Sequence, residues 1–414
     1  MADDDEDVWV PQFEGTPTRR TVLGLAGAGV VGAVGLGELS ARTPLELDAS
    51  VPDDEWHLPG RDSQQTRTVP NGELRGEPTE VWSGKPGERR LSDQPVPPLV
   101  VGDAVVFTHG HSVSAFDAAS GERRWTWTSP RRGWYRGQVL VVGETVVVVG
   151  LDRVRGLALD SGRQRWMFGR LAHERACCVG DAVAVVTEGD DGDRLALLDA
   201  ATGQPHWLGA GQTAPVPLCV LDERLVGIDD SQVVTIDPTD GTRLSAVDAR
   251  TSSAVGLPYG VAAADGTVFL GTQPEGPAGD VGYGGPLVAA VDLSNGEVTW
   301  TTDLDGDDEA VGSPQVAVSG GTLYGTNWQA DQVFALDAQT GERRWTANLR
   351  ESNGLVVVGD RVIARNDHRV VALDAATGER VAAHELDDPG YGEMAYGNGR
   401  LYVRHDEILT ALSW

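Results

Sequence analysis

The sequence predicts an all-β protein, an eight-bladed β-propeller whose blades are four-stranded antiparallel sheets. Three observations predict this architecture. A short motif recurs at the spacing of a four-stranded blade, the segments between its copies alternate apolar and polar residues, and a strand-like segment near the start can complete the final repeat. Such units cannot bury their apolar faces alone, so they stack against their neighbours and fold as one array.

The repeat motif consists of an apolar residue, any residue, Asp, a short turn ending in Gly, three polar residues and Trp. Successive motif Asp residues are separated by 43, 39, 38, 55, 45 and 37 positions. This period matches the roughly 40–50 residues of a four-stranded blade. The copies that end at Ser245 and Ala382 have lost the Trp. The motif Asp residues are Asp117, Asp160, Asp199, Asp237, Asp292, Asp337 and Asp374.

Each repeat contains four short strand patterns. Residues 99–108, LVVGDAVVFT, form two alternating runs joined by a Gly-Asp turn, in which Gly supplies the positive φ. Residues 112–118, SVSAFDA, form the third pattern, and residues 122–127, ERRWTW, form the fourth. The motif Trp has a large apolar body that can wedge between adjacent blades, so we assign it to the scaffold and not to ligand stacking.

The two ends of the array complement each other. Residues 391–414 supply three strands after the seventh unit and stop one strand short of a full blade. Residues 78–83, PTEVWS, precede the first complete unit and resemble a fourth strand with its Trp at Trp82. Pairing of these segments completes an eighth blade and leaves no open sheet edge between the chain ends. The alternative is a seven-bladed ring with loose termini.

The strand order predicts two different faces. Both regular turns of each unit lie on one face, and the irregular loops, including those that connect blades, lie on the other. The insertion at residues 273–286 explains the 55-residue spacing and belongs to the irregular face. Binding residues usually occupy irregular loops on a rigid scaffold, so we predict that this face binds an unknown protein or small ligand.

Aromatic and histidine residues are predicted on those irregular loops. A protein or carbohydrate partner would suit exposed aromatic side chains there. The alternative for Trp134 and Trp328 is that they fill blade junctions. The residues are His109, His111, Trp134, Tyr135, Tyr283, Trp328, His368 and His405.

The composition is strongly acidic. Asp and Glu number 62 against 33 Lys plus Arg, for a formal net charge of −29, and Lys85 is the only lysine. A surface of this charge repels nucleic acid and anionic membranes, and it keeps a protein dispersed where salt screens charge. Because the carboxylates are spread over the whole chain, this composition indicates a protein from a salt-loving organism, and no nucleic-acid partner is expected.

The N-terminal region has the pattern of an export signal. Arg19 and Arg20 precede an uncharged, Gly- and Ala-rich stretch over residues 21–37, which is short and only mildly apolar for a membrane span. This pattern predicts twin-arginine export to the cell surface or the exterior, with a membrane tether if the segment is not cleaved. The predicted organisation is a signal or anchor segment at 1–41, an acidic Pro-rich linker at 42–54 and the propeller at 55–414.

The repeat resembles that of the PQQ-like quinoprotein family. Residues 335–345, ALDAQTGERRW, match the pattern A-x-D-x-x-T-G-x-x-x-W, and residues 55–66, EWHLPGRDSQQT, are similar to a lead-in that precedes such propellers. Together with the acidic surface and the paired arginines, the resemblance is to a haloarchaeal type. It implies a propeller over residues 55–414. The family includes PQQ-dependent alcohol and sugar dehydrogenases, the BamB scaffold of outer-membrane assembly and exported proteins of unassigned chemistry.

The resemblance does not assign catalytic residues. The dehydrogenases of the family are longer, hold Ca²⁺ with Glu, Asn and Asp, use an Asp base, and in some cases place a disulfide between adjacent cysteines over the cofactor. We find no match for the calcium ligands or the base, so we predict no catalytic or metal-binding residues and leave the cofactor-binding residues unassigned. PQQ with Ca²⁺ remains the cofactor of the alternative, enzymatic interpretation.

The cysteines fit a packed core better than a redox site. Three cysteines are too few for a disulfide framework. Cys177 and Cys178 are adjacent, yet they lie in an apolar strand pattern in which Cys178 aligns with Val100, Val141 and Cys219. Cysteine readily replaces a small apolar residue in a core.

Other metal patterns are weak. Residues 303–309, DLDGDDE, and 188–193, EGDDGD, partly resemble calcium loops, but their Gly and Glu do not fall at the required positions. His109 and His111 could place two imidazoles near one metal, but no third ligand is identifiable. We therefore interpret the two acidic segments as solvated loops and assign no metal to the two histidines.

The sequence as a whole favours an exported, non-catalytic propeller that acts as a binding or scaffold protein through its irregular face. The alternative is a PQQ-dependent dehydrogenase that oxidises an alcohol or a sugar. A third interpretation is a role in adhesion or envelope assembly.

Overall fold

The structure is a computed structural model. It describes residues 51–84, 96–130, 137–150, 152–209, 214–229, 232–248, 254–255, 260–272, 274–275, 287–304, 314–328, 330–387, 390, 392–405 and 408–414. The regular structure in these ranges is all β, and within them no helix has the length and apolar character needed to cross a membrane.

The strands are numbered in chain order. They are β1 (Thr68–Val69), β2 (Thr79–Gly84), β3 (Leu99–Val101), β4 (Ala104–His109), β5 (Ser112–Asp117), β6 (Arg123–Thr128), β7 (Gln138–Val142), β8 (Thr145–Gly150), β9 (Arg153–Ala158), β10 (Gln164–Phe168), β11 (Leu171–Val179), β12 (Ala182–Thr187), β13 (Arg194–Asp199), β14 (Pro205–Leu208), β15 (Val216–Leu221), β16 (Arg224–Asp229), β17 (Gln232–Ile236) and β18 (Arg243–Asp248). They continue with β19 (Ala254–Val255), β20 (Gly260–Ala264), β21 (Thr267–Thr272), β22 (Pro274–Glu275), β23 (Leu287–Asp292), β24 (Glu297–Asp303), β25 (Gln315–Ser319), β26 (Thr322–Asn327), β27 (Gln332–Asp337), β28 (Arg343–Asn348), β29 (Gly354–Val358), β30 (Arg361–Arg365), β31 (Arg369–Asp374), β32 (Arg380–Glu385), β33 (Met394–Gly397), β34 (Arg400–His405) and β35 (Ile408–Ser413).

These strands form eight antiparallel blades, which confirms the predicted fold class. Blades 1 to 4 are β3–β6, β7–β10, β11–β14 and β15–β18; blade 5 is β20, β21, β23 and β24; blades 6 and 7 are β25–β28 and β29–β32; blade 8 is β33–β35 with β2 on its outer edge. In blade 8, Trp82 of β2 lies opposite Ala411 of β35. Two additions lie outside this scheme: β1 pairs in parallel with β29, and β19 pairs with β22.

The first strand of each blade lines the ring axis. First strands of neighbouring blades contact one another around a closed ring, from β3 through β7, β11, β15, β20, β25, β29 and β33 back to β3. They are largely buried, whereas the outer strands alternate exposed and partly buried residues, as in β28. The apolar core therefore consists of the layers between blades, where each sheet packs on the next.

The motif Trp residues link neighbouring blades, as predicted. Each indole Nε1 donates to a carbonyl oxygen in the turn between the third and fourth strands of the next blade, at distances of 2.7–3.1 Å. Each ring also covers the motif Gly of that turn. The donor and acceptor pairs are Trp82–Ala118, Trp125–Leu159, Trp166–Ala200, Trp207–Pro238, Trp300–Ala338 and Trp345–Ala375. The periodic Trp is therefore part of the scaffold.

Backbone hydrogen bonds define the two faces. On the short-turn face, the two regular turns of a blade are joined, as where Ala375 N donates to Asp360 O at 3.0 Å. On the irregular-loop face, the loop between the second and third strands is joined to the segment that leads to the next blade. There, for example, Leu349 N donates to Asp331 O at 2.7 Å.

Candidate functional site

The segment that precedes the propeller is hydrogen-bonded to the blades near their short-turn ends. This lead segment, residues 51–72, follows the inner wall of the ring and visits the blades in order. The first strands donate to its carbonyl groups within two residues of their short turns, so the contacts lie near one end of the channel. The bonds run from Asn398 N to Asp54 O in blade 8, Val100 N to Trp56 O in blade 1, Val141 N to His57 O in blade 2, Val220 N to Ser63 O in blade 4, Ala263 N to Gln64 O in blade 5, Val318 N to Thr66 O in blade 6 and Val357 N to Arg67 O in blade 7. Leu58 packs in the apolar layer of blades 2 and 3.

The lead segment contains three residues other than Gly in the left-handed backbone region. Arg61, Gln65 and Arg67 all have positive φ, at 78°, 58° and 54°. Such conformations are costly for residues other than Gly, and they persist only where surrounding contacts over-determine them. The seven-blade set of hydrogen bonds provides that constraint. The sequence indicated a lead-in at residues 55–66, but its path inside the ring was not predicted.

A buried polar cluster joins the lead segment to blades 6 and 8. Glu393 precedes the first strand of blade 8, and its Oε2 accepts from Arg67 Nη1 at 3.3 Å. Its Oε1 accepts from the side-chain amide of Gln315, the first residue of β25. Burial raises the pKa of Glu393, and Arg67, Gln315 and the nearby Arg365 partly oppose that rise. Sequence reasoning missed these residues because they are non-periodic and lie far apart in the chain.

A second buried carboxylate is held within the lead segment itself. Asp62 accepts from the backbone N of Thr66 at 2.9 Å and also from its hydroxyl. Burial raises the pKa of Asp62, while its bonds to Thr66 and the charge of Arg61 lower it. The carboxylate therefore stabilises the fold of the lead segment.

The described residues do not fit the calcium site of a quinoprotein dehydrogenase. Calcium requires six to eight oxygen ligands. Both carboxylate oxygens of Glu393 are already engaged by Arg67 and Gln315. In the part of the chain that the structure describes, no group of three or more His, Cys, Asp or Glu side chains could hold a metal ion.

The adjacent cysteines do not form a disulfide. Cys177 and Cys178 are free and buried within β11, where successive side chains point to opposite faces of the sheet. Burial raises the pKa of both thiols. Both therefore pack in the layers between blades, which leaves no cysteine pair over the channel.

The register corrects one detail of the predicted alignment. Val179 and Leu221 directly precede the turns of blades 3 and 4, so Cys219 is equivalent to Cys177 and not to Cys178. The prediction was one residue out because the turn of blade 4, Asp222-Glu223, lacks the Gly that marks this position in blades 1 to 3. Burial raises the pKa of Cys219 to about 12.

The His residues predicted on irregular loops have different environments. His109 Nε2 is hydrogen-bonded to Ser114 Oγ at 2.9 Å, and the His109 ring stacks on Phe107. Burial lowers the pKa of His109 to about 4, with further lowering by Arg404, Arg123 and His111. His405 is buried and bonded to Thr410 Oγ1 at 2.9 Å. His368 is exposed.

The remaining predicted loop features are only partly described. Residues 188–193 form a turn in which Glu188 pairs with Arg170 at 3.1 Å and Asp191 pairs with Arg194 at 3.7 Å. Trp134, Tyr135 and Tyr283 lie outside the described residues, as do residues 305–309 and most of the 273–286 insertion.

Trp328, one of the aromatic residues predicted on the irregular loops, is exposed to solvent. Its side chain is 46% exposed on the loop between β26 and β27. The same loop carries Asp331, whose Oδ1 accepts from Glu351 N at 2.7 Å. The alternative that Trp328 fills a blade junction is therefore wrong.

A groove of about 860 Å³ begins beside this loop and runs between blades 6 and 7. One wall is the outer strand β28, and the other is β31. Asn366 holds together the end of the groove that lies on the irregular-loop face. Its Nδ2 donates to Arg350 O, and its Oδ1 accepts from His368 N and Arg369 N, all at 2.9 Å. The groove is lined by residues 346–351, Asn366, His368, Arg369, Val371, Leu373 and 377–380. Its lining combines exposed polar side chains with the buried apolar Val371 and Leu373, so we take it as the candidate binding site.

Known structures with this architecture include BamB and quinohemoprotein alcohol dehydrogenases. BamB from Moraxella catarrhalis superposes with a TM-score of 0.58 at 19% identity, over 82% of this chain and 98% of that protein. The quinohemoprotein alcohol dehydrogenase from Comamonas testosteroni superposes with a TM-score of 0.61 at 14% identity, over 87% of this chain and 80% of that protein. At these identities the likeness shows the fold alone.

A sequence relative is also a quinoprotein. The quinoprotein ethanol dehydrogenase of Pseudomonas aeruginosa is 32% identical over 110 residues, which cover 24% of this chain. The match spans only 18% of the length of that enzyme.

A family profile matches nearly the whole propeller. The profile is described as outer membrane protein assembly factor BamB, and it matches residues 75–207, 152–311 and 229–412 in overlapping registers, as expected for a repeat array. The chain therefore belongs to this BamB-type family of PQQ-like β-propellers.

Proposed function

We propose that the chain is a non-catalytic binding or scaffold protein that engages its partner through the irregular-loop face. The observation that carries this proposal is the hydrogen bonding of the buried Glu393 carboxylate. One of its oxygens accepts from Arg67 and the other accepts from Gln315. A carboxylate that is paired in this way is a poor calcium ligand. The exposed Trp328 and the groove beside it offer binding surface on a rigid frame.

We also propose that the protein works outside the cytoplasm. Arg19, Arg20 and the mildly apolar stretch that follows support export by the twin-arginine route, and the acidic composition supports a salt-rich environment. Residues 1–50 lie outside the described residues. Fractionation of the source cells, with mass spectrometry of the mature N-terminus, tests the location and whether the signal segment is cleaved.

A second candidate is a PQQ-dependent dehydrogenase. The 32% identity to quinoprotein ethanol dehydrogenase over 110 residues supports it. The two candidates are separated by incubating the full chain with PQQ and Ca²⁺ and measuring bound-cofactor absorbance and dye reduction with ethanol, methanol and glucose. We expect neither retained PQQ after gel filtration nor turnover. PQQ-dependent dye reduction with any of these substrates would overturn the non-catalytic proposal.

A further inference from the structure

The junction between blades 4 and 5 lacks the Trp that covers the motif Gly at six other junctions. At those six, the indole Nε1 donates to the carbonyl oxygen of the residue three positions before the covered Gly. In blade 4 the Trp position is Ser245, whose Oγ is hydrogen-bonded to Thr235. The motif Gly of blade 5 is Gly296, so the equivalent acceptor is Leu293 O, to which no described group donates.

Blades 4 and 5 have not closed over the missing ring. Gly296 is exposed, and the nearest atom to a Cβ added there is Val247 Cγ2, at 3.6 Å. Val247 lies two residues after the Trp position. Thr302, the equivalent residue of blade 5, also lies beside the next motif Gly, where its Oγ1 would be 2.8 Å from a Cβ on Gly341. The motif glycines that a Trp covers, by contrast, are buried or half-buried: Gly121, Gly162, Gly203, Gly241, Gly341 and Gly378.

The uncovered position opens into a groove of about 560 Å³. The groove follows the outer strand β24 from Gly296 to Thr301, with Asp248 of β18 on the other side. Val298, in its lining, is half-buried and packs against the apolar layer that contains Val247 and Leu293. An apolar surface with one carbonyl acceptor is what an indole needs, because the ring is apolar and carries a single donor.

We call Gly296, Leu293 O, Val247 and Val298 the open Trp site. The junction between blades 7 and 8 also lacks a Trp, but it offers no equivalent site. In blade 8 the third and fourth strands are β35 and β2, which are not joined by a motif turn.

The charge and shape of the groove favour a basic, extended partner. Asp248 and Glu297 lie in its lining, and the described lining residues include no Lys or Arg. A second copy of this chain carries a formal net charge of −29 and would be repelled. The Trp residues that fill the other junctions are presented by extended outer strands, and β24 is the outer strand of its own sheet. An extended segment can therefore lie along this groove.

We propose that the junction between blades 4 and 5 binds a partner protein through a Trp on an extended, basic segment. The Trp ring covers Gly296 and packs on Val247 and Val298, its Nε1 donates to Leu293 O, and basic side chains lie near the groove carboxylates. The motif turn of blade 5 belongs to the short-turn face. The inference therefore goes beyond the function proposed for the irregular-loop face and does not depend on it.

The test is fluorescence anisotropy of a labelled peptide titrated with the full chain. The peptide is residues 341–348, GERRWTAN, which presents Trp345 after two arginines. We expect saturable binding, and a loss of affinity of at least about tenfold when the peptide carries Trp345→Ala. Replacing the peptide Trp by 1-methyltryptophan removes only the indole donor and should weaken binding about fivefold. Arg343→Ser with Arg344→Ser in the peptide should weaken it about threefold.

A variant of the chain can fill the open Trp site from within. Thr235→Ala combined with Ser245→Trp supplies an indole of the chain itself and should abolish peptide binding. Thr235→Ala combined with Ser245→Ala leaves the site open and should bind the peptide as the unmodified chain does. Denaturation midpoints establish that both variants are folded, and the peptide substitutions test the same site with no change to the chain.

Several outcomes would overturn the inference. These are absence of peptide binding, equal binding of the Trp345→Ala peptide or of the peptide without arginines, and binding unaffected by Ser245→Trp. Self-association of the chain that Ser245→Trp abolishes would assign the open Trp site to a second copy and would also overturn it. None of these results bears on the non-catalytic proposal, which fails if PQQ-dependent dye reduction appears.

Discussion

The ring of Trp345 lies so close to Gly378 of the next blade that a Cβ on Gly378 would sit 2.6 Å from Trp345 Cε3. The same indole donates to Ala375 O at 3.0 Å. The motif Gly is thus required both for its positive φ of 74° and for the space above it. Five other blade junctions repeat this relationship, with Trp82, Trp125, Trp166, Trp207 and Trp300.

We predict that Gly378→Ala destabilises the protein more than Gly296→Ala. Both residues are motif glycines with nearly the same φ, 74° and 73°, but the atom nearest to a Cβ on Gly296 is Val247 Cγ2 at 3.6 Å. The positive-φ cost is therefore common to both variants, and overpacking against Trp345 adds about 1–3 kcal/mol for Gly378 alone. Guanidinium denaturation midpoints measure the difference. Equal midpoints would show that the Trp contact does not restrict this position.

The junction between blades 4 and 5 lacks a Trp and should accept one. Ser245 occupies the Trp position, and its Oγ lies 2.6 Å from the buried Thr235 hydroxyl. Ser245→Trp alone leaves that hydroxyl without a partner, at a cost of about 1–3 kcal/mol. The double variant Thr235→Ala, Ser245→Trp should therefore exceed both the single variant and the unmodified chain in thermal midpoint. Thr235→Ala with Ser245→Ala is the control, and a double variant no more stable than this control contradicts the prediction.

A methyl group added at Gly359 should displace the lead segment. A Cβ on Gly359 would lie 2.2 Å from Gly72 O, whereas a Cβ on Gly143 would meet no atom within 4 Å. Both glycines occupy the first turn of their blades with a φ of 55°. We expect Gly359→Ala, but not Gly143→Ala, to expose residues 51–72 to limited proteolysis. Mass spectrometry of the fragments provides the measurement, and equal resistance of both variants would show that the segment is not held at this point.

Stability should fall at mildly acidic pH because of His109. Burial lowers the pKa of His109 to about 4 in the folded chain, whereas the pKa of an unfolded His is about 6.5. Between these values the unfolded state binds more protons, so stability present at neutral pH is lost as the pH falls. The loss attributable to His109 is about 1–2 kcal/mol between neutral pH and pH 5.

His109→Gln isolates this contribution. The Gln amide keeps a hydrogen-bonding group for Ser114 but does not titrate. The urea midpoint of the unmodified chain should fall relative to that of the variant as the pH is lowered from neutral to 5. Parallel midpoint curves would mean that His109 is not buried in its neutral form.

The repeating parts of the fold were predictable from sequence because they depend on local pattern. The Asp, Gly and Trp spacing specified the blades, the turns and the contact between neighbouring blades, and Trp82 pointed to the outer strand of the last blade. Each of these features is encoded within about ten residues. Their copies reinforce one another, so the loss of Trp at Ser245 and Ala382 did not obscure the count.

The candidate site was predictable only in part. Trp328 and His368 were placed on the irregular-loop face by strand order, but the groove also needs Arg369 and Arg380 from blade 7. Their proximity to blade 6 depends on how adjacent sheets twist and pack, which no local motif specifies. The cluster of Arg67, Gln315 and Glu393 was missed for the same reason, because it joins the lead segment to blades 6 and 8.

The route of the lead segment ties the blades to one another. Its carbonyl groups accept from donors on seven of the eight blades, in ring order from Asp54 at blade 8 to Arg67 at blade 7, with no such bond to blade 3 among the described residues. A ring with a different number of blades would shift these carbonyl groups out of register with their donors. Blade duplication or deletion, the usual way in which repeat arrays change length, would therefore have to be accompanied by a matching change in these few residues.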